Sequence, residues 1–114
     1  MQNSILIKLY RYAAYLLMLG IIHSALTPVF YKSFSTDALW FFGTGLALVF
    51  LSLLNIAASR LLVSWLLKMT LIANFIGTIF SVAMVLVLRA PQAYIGLSFF
   101  SIVLIANLLV VIND

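Results

Sequence analysis

Four apolar runs, each about as long as a bilayer crossing, follow one another along the chain, and the short stretches between them hold nearly all of its charge. Within the third run Thr70, Asn74, Gly77, Thr78 and Ser81 recur at steps of three and four. That spacing collects them on one face of a helix. In lipid such a face gains nothing by turning outward, so it is expected to face other helices. The second run carries a matching stripe, Gly45, Leu48, Ser52 and Asn55, and the fourth another, Gly96, Phe100, Val103 and Asn107. The pattern predicts an all-α integral membrane protein, a four-transmembrane-helix antiparallel bundle in a single domain over 1–114. The spans are expected at about 9–27, 38–58, 69–88 and 93–112.

The breaks between runs set these limits. Thr27-Pro28 closes the first span, and T-P-V-F-Y-K-S-F-S-T-D reads as a loop whose aromatics suit the headgroup level. Ser35, Thr36 or Asp37 is placed to cap the second helix. From Leu61 to Leu88 a helix would run about 42 Å, more than the roughly 30 Å hydrocarbon core. Its first part is therefore expected to lie along the interface, or the whole helix to be long and tilted. The turn Arg89-Ala90-Pro91-Gln92 is short enough to make the third and fourth helices antiparallel neighbours. The run from Tyr12 to Leu26 has some likeness to a signal peptide with Lys8 and Arg11 before it. His23-Ser24-Ala25 fits a cleavage site poorly, so the run is expected to remain as the first span.

Composition sharpens the class. The chain is 67% hydrophobic and 7% charged, too apolar for a small domain in water to hide. It has no cysteine, which removes disulfides, thiolate metal sites and a cysteine nucleophile. The net charge of +4 is scattered at the ends of the runs with no basic cluster, so nucleic acid is not an expected partner. Lys8, Arg11, Arg60 and Lys68 fall on one side, and Lys32 and Arg89 on the other. The imbalance favours both termini in the cytoplasm. A prokaryotic inner membrane is the expected location.

Candidate chemistry is confined to polar groups inside the spans. Asn55, Asn74 and Asn107 are predicted at nearly one depth, where their amides meet in an inner polar layer. His23, Thr44, Ser81 and Ser98 form a second layer toward the other side, with Thr78 on the same polar face of the third helix and Trp40, Gln92 and Tyr94 at its mouth. Helix packing is the expected role of the amides; the alternative is a hydrated path for a small solute. His23 is the single intramembrane group that titrates near neutral pH, so it is the candidate for a proton or ligand role. A lone His is a poor metal site, no acid is placed to orient it as a base, and no metal, cofactor or catalytic residue is expected. Gly43-Thr44-Gly45 and Gly77 are read as points of close helix approach.

The layout of about 110 residues and four spans is similar to that of small multidrug transporters, whose proton-coupled glutamate in the first helix has no counterpart here except His23. Residues 70–80, T-L-I-A-N-F-I-G-T-I-F, resemble the Thr-Leu-x-x-Asn-x-x-Gly-Ser/Thr stretch of small dual-topology fluoride channels over about a tenth of the chain. Here that stretch falls in the third span rather than the second, and the arginine-containing first segment is missing. Neither resemblance assigns a family. The expected role is that of a small membrane protein packing with itself, as a homo-oligomer, or with another membrane protein. A solute or proton-coupled transporter is the alternative, and a lipid-modifying enzyme or its subunit comes third.

Overall fold

A computed structural model describes residues 4–113; residues 1–3 and 114, part of the expected single domain, lie outside it. Of the described residues 88% are helical, and none lies in a strand. Its helices are α1 Ser4–Leu16, α2 Leu19–Ala25, α3 Thr27–Phe30, α4 Thr36–Leu61, α5 Ser64–Leu88 and α6 Pro91–Ile112. Among the described residues four stretches are long and apolar enough to cross a membrane: Ser4–Ala25, Thr36–Leu61, Ser64–Leu88 and Pro91–Ile112.

These limits differ from the sequence expectation in instructive places. The first span begins at Ser4 rather than Leu9 and is interrupted at Leu17–Met18. The cause lies across the bundle. The Ser52 hydroxyl donates to the Ala14 carbonyl at 2.6 Å, the carbonyl that Met18 N–H would use in an unbroken α-helix. Met18 N–H turns to Tyr15 instead, at 3.0 Å, and Gly20 and Ile21 follow with bonds three residues back. A side chain inserted into the helical ladder is a recognised source of such breaks. Pro28 does not open a free loop. It sits at the start of α3, and the Thr27 hydroxyl ties the join by donating to Ser24 O at 2.7 Å. Residues 64–68, expected at the interface or in a long helix, belong to one unbroken α5 of 25 residues. Leu67 and Thr70 continue its buried stripe, which gives that extension a packing partner.

The connections are tight. Ser35 caps α4, accepting from Ala38 N–H at 3.2 Å. Leu62 and Arg89 close α4 and α5 in the left-handed region, with φ of 54° and 50°. Such residues satisfy the last carbonyls of a helix and reverse the chain within two or three positions. Contacts between successive helices follow: Tyr10 and Ala14 meet Asn55 and Ser52, while Ser24 meets Phe42. One number rises as the other falls, so the first span and α4 are antiparallel. Asn107 near Leu67 and Phe100 near Gly77 give the same result for α5 and α6.

Packing divides the bundle along its length. At the end where α1 begins and α6 finishes, α1 packs on both α4 and α6, and the core gathers Tyr10, Leu17, Leu67, Val103 and Val110. Toward the other end α2 packs on α4, α5 packs on α6, and the two pairs separate. The α2–α4 contact is a glycine crossing. A methyl group on Gly20 would strike the Gly45 carbonyl, and one on Gly45 would strike the Ser24 hydroxyl. Gly77 is packed against the Phe100 ring. Gly43, expected at a close approach, and Gly96 face open space instead.

This contrast is testable by unfolding in mixed micelles. Gly20→Leu should lose about 1–3 kcal/mol or more by overpacking. Gly43→Ala should gain about 0.5–1 kcal/mol, since alanine suits a helix better and meets nothing.

Candidate functional site

The amide layer is a chain of hydrogen bonds joining four helical segments. The Asn55 and Asn74 side chains bond reciprocally, Asn55 Nδ2 donating to Asn74 Oδ1 at 2.8 Å and Asn74 Nδ2 to Asn55 Oδ1 at 2.7 Å. Asn74 Nδ2 also donates to Asn107 Oδ1 at 2.8 Å. From α1 the Tyr10 hydroxyl donates to Asn55 Oδ1 at 2.7 Å, and Asn55 Nδ2 reaches back to Leu51 O at 2.8 Å. Asn107 Nδ2 donates to Leu67 O at 3.5 Å. An amide offers two donors and an oxygen with two acceptor sites, so Asn55 is fully used and Asn74 nearly so. Tyr10, Asn55 and Asn107 are 0% exposed and Asn74 is 1% exposed. Satisfied in this way, buried amides hold helices in register; left unsatisfied, each would cost about 1–3 kcal/mol.

Further groups brace the same end. The Arg11 guanidinium donates to Ser59 O at 3.3 Å in the last turn of α4, where a cation meets the negative end of the helix dipole. Arg60 reaches the Tyr15 hydroxyl at 3.4 Å. The hydroxyl of Thr70, one turn from Asn74, is buried without a hydrogen-bond partner.

Beyond the amide layer the separated pairs enclose a cleft of about 960 Å³. Leu51, Leu54 and Ala73 line its bottom, next in sequence or one turn from the bonded amides. Its walls are apolar, and Gly43, Gly77 and Gly96 all border it. The polar groups on it are few: His23, Thr44, Ser81 and Gln92. The His23 ring stacks on Phe41 with centroids 4.0 Å apart, and its Nε2 is buried with no hydrogen-bond partner. Thr44 is spent locally, donating to Trp40 O at 2.9 Å.

The predicted site residues thus fall into two groups. Asn55, Asn74 and Asn107 come together as one network. His23, Thr44, Ser81 and Gln92 line the cleft. Thr78 joins neither, because its hydroxyl donates to Asn74 O within α5 at 2.8 Å. Ser98 bonds Tyr94 O on the exposed side of α6. Trp40, 73% exposed, and the exposed Tyr94 are not among the residues that line the cleft. Tyr10 was not foreseen. Its signal is the stripe Tyr10, Ala13, Ala14, Leu17, Gly20 and Ser24, which marks a buried face of the first span. No family model, no characterised protein and no solved structure matches this chain.

The network makes a graded prediction. Asn74→Leu strands groups on Asn55 and Asn107 and should cost about 1–3 kcal/mol. Tyr10→Phe removes one bond at the edge and should cost nearer 0.6 kcal/mol, the average for such bonds between membrane helices. Unfolding midpoints of the two variants check the order.

Proposed function

We propose that the chain is a non-catalytic integral membrane protein that binds an apolar guest from within the bilayer. The observation that carries this reading is the cleft: a preformed apolar space, open between two helix pairs and floored by amides already bonded to one another. Its surroundings support the membrane setting. Less than a third of the most apolar stretch of every span is buried inside the bundle. Large side chains outside the cleft, such as Ile21, Leu86, Val87 and Ile112, stand exposed, a surface that water would not tolerate and lipid accepts. With Lys8, Arg11, Arg60 and Lys68 at the amide end, both termini lie in the cytoplasm by the excess of cations there, and the cleft faces the opposite leaflet. A prokaryotic inner membrane suits this orientation. A bundle that offers an apolar cleft serves as a binding or assembly subunit, for itself or for another membrane component.

A second reading rests on the same shape. A cleft open on one side and closed on the other by a bonded layer is the form of one state of an alternating-access transporter, and His23, unpartnered at Nε2, would be its titrating group. The two readings separate in sealed vesicles. The binding reading predicts proton and solute leak no faster than in protein-free vesicles. It also predicts that a polarity-sensitive naphthylamine probe, attached to a cysteine replacing Gly96, reports apolar surroundings. Flux that scales with protein content and falls in His23→Gln would install the transport reading in its place.

A further inference from the structure

The depth of the cleft limits what it can hold. Its lining runs along α4 from Gly43 to Leu54 and along α5 from Ala73 to Leu88, about 17 and 22 Å at 1.5 Å per residue. One leaflet contributes roughly half of the ~30 Å hydrocarbon core. The cleft is therefore at least one leaflet deep but short of the whole core, and it is blind, because the Asn55–Asn74–Asn107 layer lies directly beneath it. A helix from a partner, or from a second copy, must cross the whole core and would meet that floor before reaching the other side. A lipid tail ends where the floor begins.

The remaining features fit the same guest. The volume of about 960 Å³ lies within the roughly 300–1,000 Å³ of sites that enclose a ligand. Two of the glycine positions leave the walls open, with nothing within 4 Å of a Cβ placed at Gly43 or Gly96. Ser81 is 5% exposed and lines the cleft, and no hydrogen bond among the described residues uses its hydroxyl. His23 Nε2 is likewise free of a partner. The Ser81 hydroxyl is thus a polar group without a partner in a mostly apolar space, while the His23 ring is held against Phe41. At the mouth Arg89 falls between Leu88 and Gln92, both of which line the cleft. Lys32 lies at the same end, in the connection between α3 and α4. Asp37 is the one acid among the described residues, so this end carries a net positive charge.

We infer that the cleft is a phospholipid site. It takes the acyl tails of one lipid from the leaflet it faces, with the headgroup phosphate at the mouth beside Arg89 and Gln92. Burial of methylene groups against the glycine-lined walls supplies the affinity. The cations at the mouth favour the phosphate, and the Ser81 hydroxyl offers a partner to an ester oxygen below it. The inference rests on the reading of the cleft as a binding site and names its guest.

The test uses the whole chain reconstituted with phosphatidylethanolamine and phosphatidylglycerol, washed in detergent and weighed by native mass spectrometry. Gly96→Phe and Gly43→Phe project a ring into the cleft from opposite walls, at positions where a Cβ meets nothing, and Ile102→Phe alters an exposed position outside it. Circular dichroism and unfolding midpoints establish that each variant is folded. The expected result is one phospholipid retained per wild-type chain, lost in both glycine variants and kept in Ile102→Phe. Retention by the glycine variants at the wild-type level would overturn the assignment. A lipid-free dimer that Gly96→Phe splits would also overturn it, while leaving the cleft as a binding site for a second copy. A lipid-free monomer that neither glycine variant alters would overturn both the guest and the binding reading.

Discussion

The reciprocal bond between the Asn55 and Asn74 amides is the constraint on which the rest of the bundle depends. The amides approach from α4 and α5, which share few other contacts. Each would be expensive to bury alone, and together they use one another's donors and acceptors. Once they are joined, Asn107 fixes the end of α6 against α5, and Tyr10 fixes α1 against α4. The helices therefore meet where the polar groups meet. The apolar contacts around them, Leu67, Val103 and Val110 among others, add dispersion and close packing. In lipid, where apolar burial gives little preference for helix over tail, they do not choose the register.

The open end follows from the absence of a second such layer. Thr44, Thr78 and Ser98 spend their hydroxyls on carbonyls of their own helices, so none of them bridges the two pairs. What holds α2 to α4 there is steric fit at Gly20 and Gly45, together with the bond from Ser24 to Phe42. What holds α5 to α6 is the fit of the Phe100 ring over Gly77. Leu51 beside Gly77 is a contact between the pairs, and among the described residues no hydrogen bond joins them beyond it. A rigid closed end and two self-sufficient pairs leave a cleft between them, and its chemistry is that of the residues left over: methyl groups, rings and bare glycine backbone.

Much of this was legible in the residues. The three-and-four spacing from Thr70 to Ser81 marks the buried face of α5. The common depth of the three asparagines follows from counting residues from the helix ends, and the structure brings those amides together. Other features were hidden for identifiable reasons. Tyr10 stands out only when its stripe with Ala13, Ala14 and Leu17 is followed. Gly43 and Gly45 look equivalent in sequence, yet two positions apart on a helix they face nearly opposite ways; one packs against α2 and the other faces the cleft. The break at Leu17–Met18 depends on Ser52, 34 positions or more away, and has no local signal. The cleft depends on the separation of two helix pairs, which no periodicity encodes.

The central claim is that the amide layer is dry and bonded to itself. Side-chain amide exchange tests it most directly. The protein, labelled with nitrogen-15 at asparagine and held in lipid nanodiscs, would be moved into deuterated water and followed by nuclear magnetic resonance. The account predicts that the amide protons of Asn55, Asn74 and Asn107 persist long after those of Asn113, whose side chain is bonded on the exposed side of α6, have exchanged. Exchange of the three at the rate of Asn113 would contradict it, because water would then reach the layer and the closed end would be a path.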